Sequence, residues 1–147
     1  MAKTARSKTT VKWLIDLRGI LEAFAPGSNA KSRVIDAISN GEMKVVGSVA
    51  KELPAVDPDI WDEFAQIKGP KYAKPNKNDF ELAAHLQQTH GAPLIGGMPT
   101  YEHFENIAIC SRLKCRLVTS GKALSRSQSI CKKTKVPQTV IATVSEV

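Results

Sequence analysis

Short apolar segments alternate with segments of helical character along this 147-residue chain. The apolar segments are residues 11–15, 43–48, 115–120 and 139–143, and each is short enough to be a buried strand. Strands that alternate with helices pack as a parallel sheet covered on both faces. The sequence therefore predicts a three-layer α/β/α domain with a central, mostly parallel sheet of four to five short strands.

Capping residues, glycine and proline define the helices between these strands. Apolar spacing and caps predict helices over residues 17–24, 31–39, 49–53, 57–67, 79–90, 101–113 and 125–135. Pro54 is expected to end the third of these helices, because proline lacks the backbone N–H that a helix uses. Residues 68–78 and 91–100 are predicted to be loops, the second a flexible linker rich in glycine and proline.

The length fits one domain with a single core. Residues 1–10 form a predicted flexible basic arm, and residues 11–147 form the domain. The chain has only three cysteines without a paired spacing, and no apolar run reaches the ~18 residues that a membrane span needs. We expect reduced thiols, a cytoplasmic location and no membrane contact.

Positive charge is in excess and unevenly spread. Lys and Arg outnumber Asp and Glu by 21 to 14, for a net charge of +7. Residues 110–147 carry eight of these cations against Glu146 alone. Because phosphates supply most sequence-independent affinity for basic proteins, the charge favours RNA or another nucleic acid as a partner.

Two acidic residues stand at or near predicted strand ends. Asp16 directly follows the first strand, and Glu52 lies four residues beyond Ser48, the end of the second. The carboxyl ends of parallel strands share one edge of a sheet, where open α/β sheets bind their ligands. Paired carboxylates suit Mg²⁺, which takes oxygen ligands and retains waters. A magnesium site is one interpretation; solvated acids at strand ends are the other.

Four segments together resemble a PIN domain, the fold of toxin ribonucleases in bacterial toxin–antitoxin pairs. They are VKWLIDLRGILEAF, KVVGSVAKEL, IAICSRLKCRLVTS and CKKTKVPQTVIATV. Their order and spacing carry the resemblance, which covers nearly the whole chain after the arm. The resemblance implies Mg²⁺ or Mn²⁺ held by three or four acids, and cleavage of single-stranded RNA. Asp16 matches the first acid and Glu52 the second.

The other two acid positions are altered in this chain. Counting back from the Val-Thr pair at 118 and 119, the third acid falls on His103, flanked by Glu102 and Glu105. Glu105 is expected as a third metal ligand beside Asp16 and Glu52, with Glu102 and His103 as further catalytic candidates. The fourth position is Gly121, next to Ser120, whose hydroxyl is expected to contact phosphate.

The resemblance implies a metal-dependent ribonuclease, the toxin of a toxin–antitoxin-type pair. Its partners would be RNA, a cognate antitoxin protein and a second copy in a homodimer. The cations expected to hold the RNA backbone are Lys122, Arg126, Lys132 and Lys133. The alternative is a catalytically eroded module that binds nucleic acid or protein. A flavodoxin-like or Rossmann-like sheet shares the alternation, but the glycine-rich phosphate loop is missing.

Overall fold

The computed structural model describes residues 10–90, 101–134 and 140–147. The predicted basic arm lies outside these residues except for Thr10, and the predicted linker 91–100 lies outside them entirely. Within the described ranges, no helix is long and apolar enough to cross a membrane.

Five strands form one sheet in the order β3-β2-β1-β4-β5, and all four pairings are parallel. Helices flank the sheet in an α/β/α arrangement, so the predicted fold class is confirmed. The strands are β1 (Trp13–Ile15), β2 (Met43–Val46), β3 (Tyr72–Ala73), β4 (Arg116–Val118) and β5 (Ile141–Ala142).

The centre of the sheet is apolar and fully covered. Ile15 of β1 lies beside Val45 of β2 and Val118 of β4, and none of the three is exposed. Strands buried on both faces read as continuous aliphatic runs, which is why these segments could be found in the sequence.

Seven helices occur in the described residues. They are α1 (Leu17–Ala23), α2 (Lys31–Ser39), α3 (Val49–Val56), α4 (Pro58–Phe64), α5 (Lys77–His90), α6 (Tyr101–Leu113) and α7 (Gly121–Thr134), and a 3-10 turn (Val144–Glu146) follows β5. Helices α5, α6 and α7 pack on one another, and α3 packs on α1 and α4.

Several boundaries differ from the sequence predictions. The third helix does not end at Pro54 but continues to Val56, with Leu53 fully buried. The fourth ends at Phe64 rather than at residue 67, and the fifth begins at Lys77 rather than at residue 79. The predicted loop 68–78 contains β3, whose two residues are too few to give an alternating pattern. The last helix begins at Gly121, four residues earlier than predicted.

A partly buried ion pair joins α5 to α6. Arg112 Nε lies 3.0 Å from both carboxylate oxygens of Asp79, which is 2% exposed. Asp79 Oδ2 also accepts from the backbone N–H of Asn76, whose own side chain accepts from Asp79 N. The pair therefore anchors the start of α5 to the end of α6, and α6 carries part of the candidate site.

Candidate functional site

The strand order reverses between β1 and β4. The chain runs from β1 outward to β2 and β3, then returns to place β4 on the other side of β1. At such a switch point, the connections leave adjacent strands in opposite directions and open a crevice at their carboxyl ends. A cleft of about 810 Å³ lies there, bordered by residues that follow β1 and β4.

Asp16 directly follows β1 at the floor of this cleft and is 7% exposed. Its Oδ1 accepts a hydrogen bond from Gly19 N at 2.9 Å, which caps α1. Its Oδ2 accepts from the hydroxyl of Thr119 at 2.6 Å. Burial raises the pKa of Asp16 to about 6, although the hydrogen bonds from Thr119 and Gly19 oppose the rise. Its carboxylate is thus a buried acid that titrates close to neutrality.

Gly19 lets α1 approach the sheet. A Cβ at this position would lie 2.8 Å from the carbonyl oxygen of Val118 and 2.6 Å from Ile15. Only glycine permits this contact without a shift of strand or helix. Gly19, three residues after Asp16, therefore lets α1 begin close against the sheet, where its N–H reaches the Asp16 carboxylate.

Two more carboxylates come from α3 and α6. Glu52 and Glu102 both line the cleft, and Glu102 accepts a hydrogen bond of 2.5 Å from the hydroxyl of Ser48. Burial raises the pKa of Glu52, and the nearby charge of Glu102 raises it further. Glu102 also raises the pKa of Asp16. Glu102 therefore repels both Asp16 and Glu52, as an acid near a shared cation site would.

Helix α6 contributes two further cleft residues one turn apart. His103 is half-buried; burial lowers its pKa, Glu102 opposes this change and Arg126 adds to it. Asn106 is 2% exposed, and its buried Oδ1 has no hydrogen-bond partner within the part of the chain that the structure describes. Sequence reasoning missed Asn106. The available signal was a polar residue between Phe104 and Ile107, at a helix position that packing would otherwise give to an apolar side chain.

Three cations also line the cleft. They are Arg18, Lys122 and Arg126, and Ser120 lies beside them, with its hydroxyl donating to the carbonyl oxygen of Arg18 at 3.2 Å. Gly121 begins α7 with φ of 63°, a left-handed conformation that suits glycine. This turn brings Lys122 to the cleft directly after β4.

The structure thus gathers most of the predicted site residues but not all. Those that line the cleft are Asp16, Glu52, Glu102, His103, Ser120, Lys122 and Arg126. Glu105 is not a lining residue, so of the two acids that flank His103, Glu102 is the one at the cleft. Lys132 and Lys133 lie in the last turn of α7 and also do not line it.

The donor atoms suit a hard divalent cation, although no three-ligand cluster exists in advance. Among the described residues, no group of three His, Cys, Asp or Glu side chains is arranged to hold a metal ion. Mg²⁺ commonly takes one or two carboxylates and completes its shell with waters and substrate phosphate. The carboxylate of Glu102, which repels those of Asp16 and Glu52, and Asn106 Oδ1, which has no hydrogen-bond partner among the described residues, fit an ion of that kind.

A scan of the chain against protein-family models gives no match, and a search of curated proteins finds no relative either. The resemblance to PIN domains therefore depends on the residues quoted above.

Proposed function

We propose that this chain is a PIN-like, metal-dependent ribonuclease that cleaves RNA phosphodiester bonds in the cleft between β1 and β4. One observation carries the proposal: three carboxylates and three cations line the same cleft. A phosphodiester needs cations for its non-bridging oxygens, and acids can hold the ion that activates a water.

Asp16 and Glu102 would hold Mg²⁺ or Mn²⁺, with Glu52 reached through water and Asn106 Oδ1 as a neutral oxygen donor. The ion, when bound, supplies a polarised water and neutralises charge on the phosphate. Lys122 and Arg126 bind and orient the phosphate. Asp16 must be ionised to act as a metal ligand, so activity should fall as pH drops through its pKa of about 6.

The biological role that accompanies this proposal is that of a toxin in a toxin–antitoxin-type pair. A cognate antitoxin protein would then be a second partner, and a homodimer the active form. These partners are implied by the PIN resemblance alone, and co-expression with the adjacent gene product would test them.

Cleavage assays with matched variants test the enzymatic proposal. Labelled single-stranded RNA is incubated with Mn²⁺ or Mg²⁺ and with wild type, Asp16→Asn, Glu102→Gln or Glu105→Gln. Loss of cleavage in the first two variants, with Glu105→Gln close to wild type, is expected because only Glu105 lies outside the cleft. Cleavage that survives Asp16→Asn would defeat the proposed site.

The second candidate is a catalytically eroded module that binds nucleic acid without cutting it. Two observations favour it: both Asp16 oxygens already accept hydrogen bonds, and no preformed three-ligand group exists among the described residues. This candidate predicts salt-dependent RNA binding that divalent ions leave unchanged, with no cleavage at any pH.

A further inference from the structure

A group of cations lies at the ends of the strands opposite the cleft. The cleft lining holds as many acids as cations, three of each. By contrast, the charged residues within two positions of the starts of β1, β2 and β4 are four cations and one acid: Lys12, Lys44, Lys114, Arg116 and Glu42. We call these residues the amino edge. Its net positive charge is not explained by the cleft.

The amino edge is one continuous surface because its three strands are adjacent. Arg116 N donates to the carbonyl oxygen of Lys12 at 3.0 Å, and Lys12 N donates to that of Glu42 at 2.7 Å. Lys12 forms an exposed ion pair of 3.2 Å with Glu42, which offsets one charge. Lys114 and Arg116 are both exposed at this edge.

Lys114 occupies a backbone position that favours glycine. Its φ is 55°, and the N–H of Cys115 bonds to the carbonyl oxygen of Cys110 at 3.1 Å, as at the end of a helix closed by a Schellman motif. A side chain at this position strains the backbone. The chain thus presents a cation at the end of α6 at a cost to its own stability.

Arg116 is held in place by an aromatic ring. Its guanidinium lies 5.5 Å from the centre of the Trp13 ring, and Trp13 is its register partner on β1. Stacking on tryptophan leaves the N–H donors of arginine free in the plane of the guanidinium group, where they can bind phosphate oxygens. Lys114, with its strained backbone, and Arg116, stacked on Trp13, are therefore two exposed cations at a fixed spacing. Such a pair can bind neighbouring phosphates of a nucleic-acid backbone.

We propose that the amino edge is a second nucleic-acid-binding surface, separate from the cleft, where Lys114 and Arg116 bind phosphates of an RNA backbone. It would hold a region of the RNA that is not being cut. The surface does not depend on cleavage, because its residues are at the other ends of the strands. Residues 1–9, which carry Lys3, Arg6 and Lys8, lie outside the described residues and are not part of the proposed surface.

Binding and stability measured together test this proposal. Fluorescence anisotropy with labelled single-stranded RNA in EDTA compares wild type with Lys114→Gly, Arg116→Gln and the control Lys77→Gln. Lys77 is an exposed cation in the first turn of α5 that neither lines the cleft nor belongs to the amino edge. We expect each edge variant to weaken binding roughly three- to tenfold and to reduce the salt slope by about 0.7, with Lys77→Gln near wild type.

Lys114→Gly separates binding from folding because the two effects have opposite signs. Its melting temperature should rise by about 2–4 °C, since glycine relieves the strained backbone, while its affinity for RNA falls. Edge variants that bind RNA as Lys77→Gln does would overturn the proposal. Equal competition by polyglutamate would overturn the assignment to nucleic acid. Cleavage by the edge variants at saturating RNA reports separately on the cleft, so the two proposals fail independently.

Discussion

The hydroxyl of Thr119 donates a 2.6 Å hydrogen bond to Oδ2 of Asp16, although 103 residues separate them in the chain. The bond joins the ends of β1 and β4 at the point where the strand order reverses. Thr119 is fully buried, so this donor has no competition from water. The bond therefore both fixes the orientation of the carboxylate and opposes the rise in its pKa.

Thr119→Val should move the acid limb of the pH–activity profile upward. Valine keeps the shape of threonine but removes the donor that lowers the pKa of Asp16, so that pKa rises above about 6. We expect the limb to shift by about one pH unit, given the strength of a hydrogen bond to a charged group. Cleavage rates from pH 5 to 9 measure it, and Thr119→Ser is the control that keeps the hydroxyl. Superimposable valine and wild-type profiles would contradict the role of the bond.

Asp16→Asn should make the protein more stable at neutral pH while removing activity. The pKa of Asp16, about 6, lies above its usual 3.8, so the folded state binds this proton more tightly than the unfolded chain. The free energy of unfolding therefore falls by about 3 kcal/mol as pH rises from about 4 to about 6. The variant should lack this decrease. Urea unfolding at pH 4, 5, 6 and 7.5 would reveal it, and a parallel pH dependence in both proteins would argue against the shifted pKa.

Divalent cations should raise the melting temperature of the wild type. An ion that binds only the folded state stabilises it by mass action, and here it would also relieve the repulsion of Asp16 and Glu52 by Glu102. Thermal unfolding with increasing Mn²⁺ measures this, using Glu102→Gln to remove the effect and Glu105→Gln to retain it. If Glu105→Gln abolished the response instead, the ion would lie outside the cleft.

Asp79→Ala should destabilise the fold by about 2 kcal/mol. The substitution removes a buried carboxylate that accepts from Arg112 and from Asn76 N, although Arg112 itself is exposed enough to be hydrated. Glu63→Gln, which breaks the exposed pair with Lys31, should cost less than about 1 kcal/mol. Urea unfolding of both variants gives the comparison, and equal losses would show that burial does not determine the strength of these pairs.

Gly19→Ala should lower the free energy of unfolding by about 1–3 kcal/mol and should also lower activity. The new Cβ would meet the carbonyl oxygen of Val118 and push α1 away from β4. Asp16 caps α1, so it would move with the helix. Gly27→Ala is a useful comparison, because its Cβ would meet nothing within 4 Å although its φ of 83° adds backbone strain. Unchanged cleavage in a folded Gly19→Ala protein would show that the position of Asp16 is not critical.

The elements that sequence reasoning located well are those with a dense apolar signal. The strands at Trp13–Ile15 and Arg116–Val118 were both predicted, because central parallel strands are continuously aliphatic. The two-residue strand Tyr72–Ala73 was missed, since its place at the sheet edge depends on backbone pairing with Val45 and Val46 rather than on its own residues. Edge strands of this length have no pattern to detect.

The candidate site was predictable where a residue directly follows a strand. Asp16 could be placed at the cleft from its position alone, because the carboxyl ends of parallel strands share an edge. Glu105 was expected as the third metal ligand, but Glu102 is the acid that lines the cleft, because the rotation of α6 against the sheet decides which of the two faces it. Asn106 was missed for the same reason. Its buried Oδ1 has no hydrogen-bond partner among the described residues, and only the packing around it reveals this.

The sequence by itself determined the parallel α/β fold, the place of Asp16 at a strand end and the overall positive charge. Those properties follow from local composition and the alternation of short elements. Only the tertiary structure decided that Thr119 meets Asp16, that Glu102 faces the cleft, and that Lys114 and Arg116 lie on the opposite edge. These relationships join residues far apart in the chain, and their geometry depends on strand order and helix rotation, which are set by the packing of the whole core.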